Sequence, residues 1–269
     1  YNESTHKGLL RRLYMRIAEA NNEIMVCIVV NGNTIPFADE LRDMIIATAP
    51  AVKSIILNIN TEKTNVVLGS KCITIWGQDF ITDVICGLKI MISPLSFYQV
   101  NRLQAKKLYT EAIKYAGIQK KENVLDLYCG TGTIGLCMAE YANKVIGVEI
   151  VPDAIENAKQ NAFINNIKNT EFICSDASQA ALSLSKRNIS IDIVVVDPPR
   201  KGCSEALLET IMDSSPRKII YISCDPATLA RDLKFLASNG YDIDRITPFD
   251  MFPRTAHVET CVLLSHKNS

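Results

Sequence analysis

The chain has 269 residues, which allows one large domain or two small ones, and 48% of them are hydrophobic, enough to fill a core. Lys plus Arg and Asp plus Glu balance at 29 each, so the net charge carries no nucleic-acid signature. Nine cysteines, at 27, 72, 86, 129, 137, 174, 203, 224 and 261, are odd in number and form no C-x-x-C pair. That pattern speaks against a disulfide framework or a metal site and for a reducing cytosol. No signal peptide, transmembrane run or lipidation motif is found, and a cytoplasmic location away from membranes is expected.

The first third reads as β-rich. Ile24–Asn31, Val52–Asn60, Asn65–Trp76 and Ile81–Ile92 are Val- and Ile-rich runs broken by Gly and Asn. Asp39–Ala49 has the period of an amphipathic helix. The pattern changes at Ser93-Pro94, which divides the chain into 1–92, a small α+β domain, and 93–269. Asn101 to Ala116 is helical, with Gly117 as its stop.

From there strands and helices alternate. Strands are predicted at Val124–Tyr128, Lys144–Ile150, Glu171–Cys174, Ile191–Val196 and Lys218–Ser223. Helices are predicted at Ile134–Tyr141, Pro152–Asn165, Ser178–Lys186, Glu205–Asp213 and Ala227–Asn239. Two closing runs, Ile243–Phe249 and Glu259–Ser265, have no long helix between them. Alternation predicts an α/β fold with a parallel sheet covered on both faces, and the closing pair predicts one antiparallel strand.

Val124 to Leu136 reads VLDLYCGTGTIGL, placing Gly130, Gly132 and Gly135 in G-x-G-x-x-G spacing between a strand and a helix. Glycines there allow a tight turn and close backbone approach to a ligand, a device shared with nicotinamide and flavin proteins. Glu149 ends the next strand, where a carboxylate can accept from both ribose hydroxyls. Asp126 precedes the glycines in the D-x-x-x-G form typical of methyltransferases. Asp176 ends the third strand, in reach of an adenine amino group. Asp197 opens DPPR at the end of the fourth, where the prolines stop the strand. All lie at strand carboxyl ends, where open α/β sheets bind ligands. The plain alternative is a glycine turn with acidic helix caps.

Cys224 follows a strand and precedes Pro226 and a helix, in SCDPATLARD. A thiolate is expected to be favoured near the helix N-terminus. The segments FYQVN (Phe97–Asn101), DLYCGTGTIGL, DPPRKG (Asp197–Gly202), SCDPATLARD (Ser223–Asp232) and HVET (His257–Thr260), in this order, resemble the RNA 5-methyluridine methyltransferases. The resemblance runs from about His6 to the C-terminus. It implies a class I Rossmann-like methyltransferase domain with a seven-stranded, mostly parallel sheet, preceded by the family's central domain. Family members commonly carry an N-terminal TRAM domain, and many an iron–sulfur cysteine cluster ahead of this region. Neither motif occurs in this chain, which opens on Tyr1 and is expected to be the C-terminal portion of a longer protein, with weakened RNA grip.

The resemblance further implies S-adenosylmethionine as cofactor, no metal in this portion, and methyl transfer to C5 of a uridine in RNA. Cys224 would be the nucleophile and Glu259 the base. Gln99, Tyr128, Gly130, Gly132, Glu149, Asp176 and Asp197 would contact the cofactor, with Thr133 a weaker candidate. Phe97, Asp197 and Arg200 would contact the substrate; Phe97 and Tyr98 are candidates for stacking on the base or for core packing. Lys7, Arg11, Arg12, Arg16, Arg200, Lys201 and Arg231 are candidates for phosphate contacts, and a solvated charged face is an equal reading of the first four. The expected partner is RNA, 23S rRNA ahead of tRNA, and the expected state a monomer. The competing readings are an amine methyltransferase with a D-P-P motif, a non-catalytic RNA-binding protein on the same fold, and a nicotinamide oxidoreductase.

Overall fold

The computed structural model describes residues 1–187 and 189–267. They form two compact units, one of Tyr1–Val84 with Lys89–Tyr98, the other of Ile85–Leu88 with Gln99 onward.

In the first unit, strands β1 (Leu10–Ala18), β2 (Glu23–Val30), β3 (Val52–Ile59) and β4 (Lys71–Gly77) make a sheet in the order β1-β2-β3-β4. Helix α1 (Ala38–Thr48) crosses between the parallel neighbours β2 and β3. Strands β5 (Ile81–Ile85) and β6 (Leu88–Ile92) pair separately, so the predicted run Ile81–Ile92 is a hairpin. Cys86 and Gly87 turn it with φ 51° and 83°.

Two expectations for this region are corrected. β1 is absent from the sequence reading because apolar residues occupy both its faces: Leu13, Met15 and Ile17 are exposed, while Tyr14 and Ala18 join the core. A strand of that kind has no period-2 signal. The run predicted from Asn65 becomes a strand only at Lys71. Its first residues are held by side chains instead of a ladder. Asn58 Nδ2 donates to Gly69 O at 2.7 Å and accepts at Oδ1 from Gly69 N at 2.7 Å, and Asn60 Nδ2 donates to Val66 O at 2.8 Å.

The second unit opens with α2 (Arg102–Ala116). Asn101 caps it by accepting from Gln104 N, and Gly117, at φ 52°, ends it in the left-handed conformation. Then follow β7 (Asn123–Leu127), α3 (Thr133–Ala139), β8 (Lys144–Glu149), α4 (Pro152–Ile164), β9 (Thr170–Cys174), α5 (Ala177–Lys186), β10 (Ile193–Val196), α6 (Glu205–Ser214), β11 (Lys218–Ser223), α7 (Pro226–Ser238), β12 (Tyr241–Phe249) and β13 (Glu259–His266). Among the described residues these strands form one seven-stranded sheet, in the order β12-β13-β11-β10-β7-β8-β9. β13 runs antiparallel to both neighbours, and the pairings from β9 across to β11 are parallel.

This is the predicted Rossmann-like sheet with its one reversed strand. The central strands read as unbroken apolar runs, as in Ile193–Val196, because helices cover both faces. The chain steps outward from β7 to β9, then crosses back to β10. The strand order therefore reverses between β7 and β10, and the crevice at their carboxyl ends is where such sheets bind ligands. Among the described residues no helix is long and apolar enough to cross a membrane.

Candidate active site

The glycine loop leaves β7 at that crevice. Tyr128 takes a left-handed φ of 62°, uncommon for a large side chain, and Gly130 and Gly132 follow at 54° and 79°. The three glycines do different work. A Cβ on Gly132 would lie 3.0 Å from Ala158 Cβ and from the Phe172 ring, and one on Gly135 would lie 2.8 Å from Asp126 Oδ2. A Cβ on Gly130 would meet nothing within 4 Å. Gly132 and Gly135 thus serve close packing, and Gly130 borders open space that a ligand can fill.

Glu149, at the end of β8, braces this loop. Its Oε2 accepts from Gly130 N at 3.2 Å, and its Oε1 accepts from Ile150 N and Val151 N at 2.8 and 3.0 Å. Asp126 holds the start of α3 by accepting from Gly135 N at 2.9 Å, while its Oδ1 is buried without a partner among the described residues. Burial pushes the Asp126 carboxyl up to about 7, with Asp197 and Glu149 adding to the shift against the Gly135 bond. Tyr128 is raised by burial first and then by surrounding acids that include Asp176 and Glu149. Gln99 is buried. Asp176 caps α5, accepting from Ser178 N and Gln179 N, and is otherwise exposed. An open cradle at Gly130, a ribose-facing class of carboxylate at Glu149 and an orphaned buried oxygen at Asp126 fit an adenosyl ligand with polar substituents.

The second half of the site comes from three neighbouring strand ends. Asp197 ends β10, with its amide reaching Leu127 O of β7 at 3.4 Å. Cys224 ends β11. Ser223 of β11 pairs with Thr260 of β13, so Cys224 stands beside Glu259. The electrostatics report the same convergence. Burial raises the Asp197 carboxyl to about 7, with help from Glu259. Burial alone raises Glu259, which is 5% exposed. The Cys224 thiol is raised by burial, then by Glu259 and Asp197, against a backbone hydrogen bond and the charge of Arg200.

That last shift corrects the expectation of a favoured thiolate. The free amides at the start of α7 do not serve Cys224. Asp225 takes them, accepting from Ala227 N and Thr228 N at 2.9 and 3.1 Å, and two carboxyls flank the thiol. Cys224 rests as a thiol near neutral pH.

Asp232 is a feature the sequence reading did not assign. It is 1% exposed, and its Oδ2 accepts from Tyr221 OH at 2.6 Å and from Cys203 N at 2.8 Å. Arg231 bonds its other oxygen at 2.8 Å and donates to the carbonyls of Lys201 and Cys203. The pair straps the loop after DPPR onto α7, and Gly202 admits them: a Cβ there would lie 2.6 Å from both Arg231 Nη2 and Asp232 Oδ2. The readable signal was a carboxylate on the apolar stripe Leu229, Asp232, Leu233 and Leu236, the buried face of α7.

The predicted basic set separates. Arg11 spends its guanidinium on Asn60 O, Glu62 O and Thr64 O, Arg16 reaches Ser96 O, and Arg12 pairs with Glu3. Arg11 and Arg16 are structural in the first unit because loop carbonyls take their guanidinium groups, whereas Arg12 makes an exposed ion pair. Arg231 is likewise committed. Lys7, Arg200 and Lys201 are exposed. Tyr98 donates to Asp83 Oδ2 at 3.0 Å and packs on the first unit's core, so it is a packing residue, whereas Phe97 is 71% exposed.

Comparison with known proteins agrees with this geometry. The family model for tRNA (uracil-5-)-methyltransferases matches residues 70–267. An uncharacterized RNA methyltransferase of Clostridium acetobutylicum is 50% identical over 264 residues, covering 98% of this chain and 57% of that protein. One from Halalkalibacterium halodurans is 44% identical, covering 100% and 58%. The chain thus spans less than two thirds of these relatives. The crystal structure of the Pyrococcus abyssi tRNA (uracil-54, C5)-methyltransferase in complex with S-adenosyl-L-homocysteine superposes with a TM-score of 0.80 at 32% identity, over 97% of this chain and 61% of that one. With its fold, its strand-end constellation and a family match over most of its length, this chain belongs to the tRNA (uracil-5-)-methyltransferase family.

Proposed function

We propose that the chain is the catalytic part of an S-adenosylmethionine-dependent RNA methyltransferase acting on C5 of uridine through a covalent cysteine adduct. The observation that carries this reading is the meeting of Cys224, Glu259 and Asp197 on three adjacent strand ends beside the glycine cradle. Amine methylation needs no thiol there, and the non-catalytic and nicotinamide readings leave the trio without work.

The cofactor would supply an electrophilic methyl group. Gly130 would admit it, Gly132 would shape the loop around it, Glu149 would accept from its ribose hydroxyls, and Gln99, Tyr128, Asp176 and Asp197 would complete its contacts. C5 of uracil is a weak nucleophile. The Cys224 thiol gives its proton to solvent as its sulfur adds at C6, which makes C5 enolate-like and able to take the methyl group. Glu259 then removes the C5 proton, and elimination breaks the C6–S bond and frees the thiolate, which takes a proton back from solvent. Burial suits Glu259 to this work, since a raised carboxyl is the stronger base. Arg200 is exposed, and its charge opposes the rise of the Cys224 thiol. A paired base cannot reach a recessed thiol, so the target uridine is unpaired or flipped out.

The test separates the two residues. Cys224→Ser should abolish turnover and keep cofactor binding, since the sulfur acts on uracil. Glu259→Gln should accumulate a methylated enzyme–RNA adduct that survives denaturing electrophoresis, and the double variant should form none. Normal turnover by Glu259→Gln would remove it as the base; wild-type turnover by Cys224→Ser would remove the covalent route. Supplying both RNAs decides the substrate: 5-methyluridine in 23S rRNA supports the sequence expectation, and in tRNA the substrate class named for the Pyrococcus abyssi protein.

A further inference from the structure

Two thiols that the methyl-transfer reading does not use lie near one another in the second unit. Cys86 is the first residue of the two-residue turn between β5 and β6, and Cys137 lies on α3. The two thiols lie close enough to shift one another's ionisation. Both line an open surface cavity of about 340 Å³, together with Leu88, Leu136 and Asn166, so a small solute reaches the pair. Cys86 is half-buried and Cys137 buried.

The backbone adds a second observation. A two-residue turn with both φ angles positive favours Asn or Asp before Gly, because their short polar side chains tolerate the left-handed region. Here the pair is Cys86-Gly87, at 51° and 83°. Turn geometry therefore does not account for a cysteine at this position. The surroundings make the two sulfurs unequal. The neighbouring Cys137 thiol holds the Cys86 thiol below its ordinary range, and the charge of Lys106 acts the same way against burial. Cys86 and burial both raise Cys137. An accessible, readily ionised thiol against a protonated neighbour is the arrangement of an attacking and a resolving cysteine.

We propose that Cys86 and Cys137 form a reversible oxidation site, at which a hydroperoxide converts the two thiols to a disulfide joining the β5–β6 turn to α3. The Cys86 thiolate attacks one peroxide oxygen, the O–O bond breaks, and water leaves once its oxide is protonated, giving the sulfenic acid. The Cys137 sulfur then displaces the hydroxyl from Cys86, its proton leaving with that hydroxyl as a second water. Two thiols and one hydrogen peroxide give one disulfide and two waters, and a dithiol reductant reverses the change. The site is independent of the methyl-transfer reading. It bears on α3, the helix that begins at the glycine loop and is buried at every residue.

The experiment treats the whole chain with a small excess of hydrogen peroxide, alkylates the remaining thiols and maps tryptic peptides without reduction. The expected product is lighter by about 2 Da, the mass of two hydrogens. Its link joins Cys86 to Cys137, with fragment ions excluding Cys72 and Cys129, which share those two peptides. A dithiol should restore the starting mass. Cys86→Ser should remove the link, and Cys137→Ala should leave a Cys86 sulfenic acid that a cyclic diketone traps. A link through any other cysteine overturns the proposal. So does unlinked over-oxidation of Cys86 in the wild type, or oxidation of exposed Cys174 ahead of it; these readings come from the native chain and stand whether or not the variants fold.

Discussion

Asp126 offers a measurement of what the site costs the fold. Its carboxyl is buried, accepts one hydrogen bond from Gly135 N and is pushed up to about 7, from 3.8 in an unfolded chain. The native state therefore holds a proton that the unfolded state releases between about pH 4 and pH 7. Stability is fully present below the unfolded value, falls through this window and levels off above the folded value. Three pK units at 1.36 kcal/mol each make the ceiling roughly 4 kcal/mol. Asp197, also raised to about 7, and Glu259, raised by burial, act in the same direction. Asp126→Asn keeps an acceptor for Gly135 N and cannot ionise. The new amide, placed where Oδ1 has no partner, costs about 1–3 kcal/mol. The variant should therefore be more stable than the wild type at pH 8 by about 1–3 kcal/mol, an advantage that shrinks by roughly 2–3 kcal/mol as the pH falls to 5. Urea unfolding followed by circular dichroism at pH 5, 6, 7 and 8 makes the comparison. Parallel pH profiles for the two proteins, or a wild type whose stability rises from pH 5 to pH 8, would refute the reasoning.

Glu149→Ala removes the brace on Gly130 N and the proposed ribose contacts, and should weaken S-adenosylhomocysteine binding by about 1–3 kcal/mol, read by calorimetry; unchanged affinity would take Glu149 out of the site. Asp232→Ala strands two buried donors, Tyr221 OH and Cys203 N, and should cost about 2–6 kcal/mol. Tyr221→Phe should cost about 1 kcal/mol alone and much less in the Asp232→Ala background, because its partner is already gone. Simple additivity in chemical denaturation would show that the two do not interact.

The strand–helix alternation of 102–238 was legible because burial on two faces writes unbroken apolar strands, and amphipathic helices carry a different period. The glycine loop and Asp197 were legible because ligand sites in such sheets fall at strand carboxyl ends, which chain order alone identifies. β1 was not, since its apolar residues divide between two faces. Arg11 and Arg16 read as surface charge until loop carbonyls 49 to 80 residues away claimed them.

Sequence alone thus placed the proposed cofactor half of the site, where every element is local: a strand, a turn, a helix, an acidic residue at the next strand end. Tertiary structure decided the proposed catalytic half. Glu259 is at the start of its strand, which in a parallel strand would place it on the far edge from Cys224. Only because β13 inserts antiparallel between β11 and β12, with Ser223 against Thr260, does Glu259 stand at the carboxyl edge beside Cys224 and Asp197. Burial raises all three groups, with Glu259 adding to the rise of Asp197 and both carboxyls adding to that of Cys224. Strand direction and register come from long-range pairing and shared burial, which no local pattern around residue 224 or 259 encodes.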